Sequence, residues 1–397
     1  MSQIIKKSVL CDLVSRHSDF NYESYVANTP LDDFDVWNGY CLPMHYTNVG
    51  DEYAAIRNRC ALFDASPMKK YRFRGDDAGL FLDRILTAPV SQLAAMSSAY
   101  GLICNEQGLL LDDGIVNKYE EDNYLLLISE LDLDEHFAQY NDFVNLVISE
   151  ETDLSAGLAL QGPRACEVLN CFGFAGIEYL DPFALQYFDL SGHKITVGRL
   201  GFTGDLGYEL WFSPEAKDAV QRAFVRAENT LNFDIPGYGL SALQICRIEA
   251  GMIVPGWDTA GEFGDLELER SPYELALGWN VKLEREEMFS GKTALVERRV
   301  QGPRYRMKGF IVDSSCILVE GQAVYTKVEG ELNRVGALPS LVWHTRDKVW
   351  IGFASLTAAN ADIEDVFIKL GEQEIPCLLC NIPFIDLKQR NQVPAPM

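Results

Sequence analysis

From residue 307 to residue 388 the chain holds only short β-type runs. They are MKGFIVD, AVYTKV, KVWIGFASL, DVFIKL and CLLCNI, separated by turn-forming residues. A series of short strands leaves exposed edges unless the sheet closes or doubles, so this segment predicts a small β-barrel or sandwich. QGPRYR at 301–306 reads as a linker, which sets a separate C-terminal domain over 301–397. Helical and strand patterns mix upstream of it, and the whole is α+β.

Residues 1–40 read as an irregular lead-in. DEYAAIRN has a helical pattern and KKYRFR alternates as a strand. Asp76 and Asp77 open a helix carrying Leu80, Phe81 and Ile85, which ends by Pro89. SAYGLIC, LLLDDGIVNKY and YLLLIS, separated by NEQG and EEDN, form an antiparallel meander. Further helices are expected over Pro163–Phe172, Pro214–Thr230 and Leu240–Met252, and one capped by Ser290 runs through Arg299. KITVGRLGF and GYELWF read as paired strands, and 252–272 as a loop.

Charge removes several function classes. Lys and Arg total 34 and Asp and Glu total 58, a formal charge of −24. A general nucleic-acid binder needs a basic face, and so does a protein docking on anionic lipid. No nucleic-acid or membrane partner is expected, although a small anionic ligand needs only a local basic pocket. The N-terminus lacks the apolar run of a secretory signal. Ten cysteines spread over 397 residues fit reduced core thiols in a cytoplasm better than a disulfide scaffold. Gly201, Gly204 and Gly207 lack dinucleotide-fingerprint spacing, and Gly291-Lys292-Thr293 lacks the earlier glycine of a phosphate loop. Cys377 and Cys380 have no second Cys or His pair, so no metal site is expected.

Asp112 and Asp113 interrupt an apolar strand pattern. One face reads Leu109, Leu111, Asp113, Ile115; the other reads Leu110, Asp112, Gly114, Val116. A carboxylate in an apolar row is costly unless it is paired or used. A wet edge strand accounts for one such acid, and alternation alone does not say which acid is buried. Tyr100, Glu209, and Arg247 with Glu249 are also polar groups in apolar or Gly-rich settings. The last two read as a structural helix pair, and Trp257 as a cover for the core under the long loop.

A series of segments in one order resembles the glycine-cleavage T-protein family of tetrahydrofolate-dependent aminomethyl and methyl transferases. They are LPMHYTNVGDEYAAIRNRCALFDASPM (42–68), AYGLICNEQGLLLDDGIV (99–116), LQGPRA (160–165), GFTGDLGYEL (201–210), CRIEAG (246–251), SPYELALGWNVKL (271–283) and FSGKTAL (289–295). The resemblance implies a three-lobed ring around a folate pocket. Two intertwined lobes would fill residues 1–300, and the β-barrel would follow. It implies Asp113 as the catalytic carboxylate and Tyr100, Ile115, Leu127, Phe202, Glu209 and Trp279 as the tetrahydrofolate contacts. Trp257 and Asp258 then fall in a loop expected to line the substrate channel.

The departures matter for the donor. Leu243 stands where the family has an arginine, and Ser129 lies near its strand asparagine. GALPSLVW (336–343) replaces a C-terminal motif, and AGEFGDLELER (260–270) lengthens a loop. The cysteine motif of the family's iron–sulfur assembly branch is missing. The expected enzyme is therefore a demethylating transferase that moves a one-carbon unit from a small methylated substrate to N5 of tetrahydrofolate. Glycine-cleavage aminomethyl transfer and dimethylsulfoniopropionate demethylation are alternatives. A folate-binding module without chemistry is the alternative of a different class.

Overall fold

The computed structural model describes residues 5–28, 36–129, 131–259, 269–313 and 316–387. Two five-stranded antiparallel sheets carry the first three-quarters of the chain. One runs in the order Ser97–Cys104, Leu110–Glu120, Asn123–Ile128, Lys69–Arg74, Val147–Glu150. The other runs Leu185–Leu190, His193–Gly198, Gly207–Phe212, Ala156–Gln161, Ala61–Asp64. Ala61–Asp64 and Lys69–Arg74 are near neighbours in sequence but belong to different sheets, so the chain crosses from one sheet to the other between them.

Alternation along the meander decides which face meets which layer. Ile115, Tyr119, Leu125 and Leu127 pack with Phe63, Ala159, Leu185 and Trp211 of the other sheet. Val116, Leu126 and Ile128 face the opposite way, onto Phe81, Leu82 and Ile85 of the helix Ala78–Ile85. Asp113 shares the parity of Ile115, and its neighbours on that face, Tyr100 and Leu102, pack toward Ile248, Ile253 and Phe353. Asp112 shares the parity of Val116 and is only 3% exposed. Asp112 Oδ1 accepts the Asp113 N–H at 2.8 Å.

Six strands close the C-terminal barrel: Tyr305–Val312, Val349–Thr357, Glu331–His344, Gln322–Val328, Val366–Leu370 and Gln373–Cys380. Its interior is filled by Phe310, Val324, Leu338, Leu356 and Ile368. The α+β class and the terminal barrel agree with the sequence. The long strand Glu331–His344 was not expected from it. Pro339 cannot donate to a ladder, and the strand accommodates it at a register shift between Ala337 and Ser340. The linker is shorter than 301–306, because a helix runs to Gln301 and the barrel begins at Tyr305.

Other expectations are corrected locally. The lead-in is not simply irregular: Leu10, Leu13 and Val14, on and beside the short helix Cys11–Val14, are buried in the core of the second sheet. Asp77 sits at its helix N-terminus, yet its carboxylate accepts the Asn145 N–H rather than capping. Ser290 does not cap the helix Lys292–Gln301; its hydroxyl donates to Cys104 O, and Gly291 holds the cap position. Gly291 has φ +80°, and a Cβ there would meet Asn105 O at 2.4 Å. This explains the Gly-Lys-Thr triplet as packing against the NEQG turn.

None of the ten cysteines is in a disulfide, and seven of them are buried. Among the described residues no group of His, Cys, Asp or Glu is placed to hold a metal ion. No described helix is long and apolar enough to cross a membrane. Glu262, Phe263, Asp265 and Glu267 of the 252–272 loop lie outside the described residues.

Candidate active site

The site grows from a diagonal cross-strand pair. Tyr100 lies opposite Ile115 and Leu102 lies opposite Asp113, so Tyr100 and Asp113 share one face two residues out of register. The Tyr100 hydroxyl donates to Asp113 Oδ2 at 2.5 Å. Trp279, 62% exposed on the turn Gly278–Asn280, stacks on the Tyr100 ring at 5.9 Å and 22°. The next residue, Asn280, is buried. Its Nδ2 donates to Tyr100 O at 2.9 Å, and its Oδ1 accepts the Thr87 hydroxyl at 2.9 Å. Tyr100 is therefore held by its ring, its hydroxyl and its carbonyl.

Asp113 is half-buried at the surface of this face but surrounded by protein. Burial pushes its carboxyl up to about 7, and Asp258 adds to that push. The Tyr100 hydroxyl works in the opposite direction by favouring the charged form. The result is a carboxyl that changes charge near neutral pH, the range in which a carboxylate exchanges protons efficiently. Tyr100 is itself held well above the ordinary tyrosine range by burial and by the Asp113 charge, so it acts as a donor.

The remaining expected residues divide between surface and wall. Glu209, half-buried on Gly207–Phe212, accepts the Trp211 indole N–H at 3.2 Å. Trp211 packs in the same cluster as Ile115 and Leu127, which places Glu209 beside the wall those residues form. Ile115 is half-buried and Leu127 lies directly opposite it, fully covered. Leu127 thus supports the wall and offers no surface to a ligand, contrary to its expected contact role. Phe202, 36% exposed, sits on the loop before Gly207, and the structure does not bring it into the Tyr100–Trp279 stack. Trp257 is half-buried on the loop after Leu240–Glu249.

Asp258 also departs from expectation. It is fully buried, and Arg247 Nη1 donates to both of its oxygens at 2.9 and 2.7 Å. The Val254 N–H adds a third bond at 2.6 Å. A carboxylate so engaged is spent on Arg247 of the preceding helix and on its own loop rather than offered to a substrate. Arg247 and Glu249 are not a pair with each other, since Glu249 takes different partners.

Several motifs serve one another. Gln161 of LQGPRA accepts the Thr203 hydroxyl at 3.0 Å and donates to Leu200 O at 3.2 Å. A Cβ at Gly207 would meet the Gln161 amide at 2.3 Å, so this glycine admits the Gln161 side chain. Arg57 donates to Thr203 O and to Glu249 Oε2, at 2.8 and 2.6 Å. These contacts tie the 42–68, 160–165, 201–210 and 246–251 segments into one frame beside the site.

Comparison with known proteins decides the family. The GCVT N-terminal domain matches residues 33–285. The chain belongs to the glycine-cleavage T-protein family. Relatives named aminomethyltransferase match most of its length. An aminomethyltransferase of Rubrobacter xylanophilus is 30% identical over 374 residues, covering 93% of this chain and 94% of its own. One of Lysinibacillus sphaericus is 30% identical over 370 residues, covering 91% and 95%. The crystal structure of glycine cleavage system aminomethyltransferase T from Bartonella henselae superposes with a TM-score of 0.80. It covers 98% of this chain and 100% of its own, at 22% identity, and so shows a shared T-protein fold.

The cluster around Glu249 was not foreseen. Its Oε1 accepts from Tyr53 and His344 at 2.8 and 2.9 Å, and its Oε2 accepts from Arg57. The partners come from 196, 192 and 95 residues away. The sequence signal was a charged pair, Arg247 and Glu249, in a largely apolar stretch of helix.

Proposed function

We propose that this protein is a tetrahydrofolate-dependent one-carbon transferase that removes a methyl-level carbon from a small methylated donor. The observation that carries this reading is the Asp113 carboxyl, poised near 7 beside a flat aromatic platform. Tetrahydrofolate supplies the nucleophilic nitrogen, N5, when bound. The residues present fit it. Glu209 is an acceptor-only group when ionised and suits the donor edge of a pterin. Trp279 offers an exposed ring face over Tyr100. Phe202, Ile115 and Trp257 belong to the same reading as apolar contacts.

Asp113 takes up the proton released as the new carbon–nitrogen bond forms, while the donor's bond to the carbon breaks with its electron pair. A donor that is already a cation leaves as a neutral molecule and needs no acid. Aligning donor and acceptor supplies much of the acceleration, and Asp113 stabilises positive charge at the reacting nitrogen. This reading places the folate region in residues 1–300 and the barrel in 301–397, in a cytoplasmic enzyme.

A folate-binding module without chemistry is the competing reading. The raised Asp113 favours the enzyme, because binding alone gives no reason to keep a carboxyl that burial disfavours. The test is calorimetric binding of tetrahydrofolate, then transfer assays over cationic methyl donors, neutral methoxy compounds and an aminomethyl donor. Binding with turnover of any donor class supports the enzyme. Binding with no transfer across the panel supports the module. Deleting 260–268 then asks whether that loop governs the choice between cationic and neutral donors.

A further inference from the structure

We propose that Tyr100 is the positioning residue for Asp113: its hydroxyl anchors one carboxylate oxygen and so fixes the orientation of the other. The inference rests on the reading of Asp113 as the transfer carboxylate. Three observations carry it. The Tyr100 hydroxyl donates directly to Asp113 Oδ2, a charge-assisted bond when the carboxyl is ionised. The tyrosine cannot easily turn away, because Trp279 covers its ring and Asn280 fixes its carbonyl. The two residues also sit on adjacent strands of one sheet, so their spacing is set by backbone ladders rather than by a loop.

The charged and titratable surroundings of Asp113 point the same way. Asp112 precedes it on its own strand, facing the helix layer, and holds the Asp113 N–H. Asp258 approaches from the loop after Leu240–Glu249, with its charge balanced by Arg247. Tyr100 is the neighbouring strand's contribution. Among these groups it donates a side-chain proton directly to the Asp113 carboxylate. Removing it deletes the larger of the two interactions that favour the ionised form, the other being a backbone N–H, and leaves burial and Asp258 in place. The carboxyl must then bind its proton more tightly and lose its fixed orientation.

Infrared difference spectroscopy across pH reads this directly, with wild type, Tyr100→Phe, Trp279→Leu and Asp113→Asn. Wild type should show a carboxyl band titrating near 7 that Asp113→Asn lacks. Tyr100→Phe keeps the ring and should raise the proton affinity of that carboxyl about tenfold. Trp279→Leu, a change at an exposed residue, should move it the same way by less. Tetrahydrofolate affinity of Tyr100→Phe, measured by calorimetry, should stay within about threefold of wild type. Transfer activity at pH 7 should fall further than affinity and partly recover toward pH 9. A band at the wild-type midpoint in Tyr100→Phe, or one shifted to lower pH, overturns the proposal. So does a titrating band that survives Asp113→Asn. Loss of stability in Tyr100→Phe with an unmoved band marks a merely structural role and also overturns it. Failure of wild type to bind tetrahydrofolate refutes the functional reading instead, so the two failures are distinguishable.

Discussion

His344 and Glu249 join the barrel to the helix behind the site: the imidazole Nε2 donates to Glu249 Oε1 at 2.9 Å, with both side chains buried. The Asp347 N–H donates to Nδ1 at 3.1 Å, which leaves Nε2 as the proton-bearing nitrogen. Burial pushes the Glu249 carboxyl up, but His344, Arg57 and Tyr53 outweigh it and hold the group below the usual range. His344→Ala removes a buried partner and opens space, and should cost about 2–4 kcal/mol in urea unfolding. A group held low in the folded state stabilises above the carboxylate's unfolded value of about 4.3 and loses that contribution as pH falls. Glu249→Gln should therefore destabilise most at neutral pH and progressively less toward pH 3. A penalty constant over that range would refute the charged role.

Asp113 has the opposite sign. Its folded value lies above its unfolded value, so its ionisation destabilises the fold as pH rises from about 4 toward 7. Asp113→Asn should raise the melting temperature clearly at pH 8 and less at pH 5. Such a gain in stability beside a loss of function is common where a site holds a charge in an unfavourable place. Equal melting temperatures at pH 8 would show that the carboxyl is not strained.

Arg247 and Asp258 have side chains only 1% and 0% exposed. Arg247→Met leaves Asp258 buried without its countercharge and should cost about 3–5 kcal/mol. The double variant with Asp258→Leu should recover a large part of that loss. Urea midpoints of the three variants check this, and an additive double variant would contradict the pairing.

Glu209→Ala should weaken tetrahydrofolate binding by about ten- to a hundredfold, the loss of charge-assisted hydrogen bonds to the pterin edge. Calorimetry measures it. Wild-type affinity in the variant would remove Glu209 from the pocket.

Local patterns were readable where one element holds the answer. The meander appeared as alternating runs, and the acid pair stood out because two carboxylates interrupt both faces of LLLDDGIV. Ala156–Gln161 escaped notice because a short strand buried on both faces shows no alternation. Glu331–His344 was hidden by Pro339, which a bulge absorbs. Trp279 was visible as a motif residue, but its stack on Tyr100 depends on a turn about 180 residues away in sequence. The sequence could not reveal that Asp258 is consumed by Arg247, because acids beside aromatics look alike whether they face a ligand or a buried arginine.

The most direct test of Asp113 as the transfer carboxylate is the single-turnover rate to tetrahydrofolate in Asp113→Asn and Asp112→Asn, using a donor that wild type turns over. Asp113→Asn should lose about 10²-fold or more, with tetrahydrofolate affinity within a few-fold, and Asp112→Asn should lose much less. Equal losses in the two variants, or a wild-type rate in Asp113→Asn, would contradict that role.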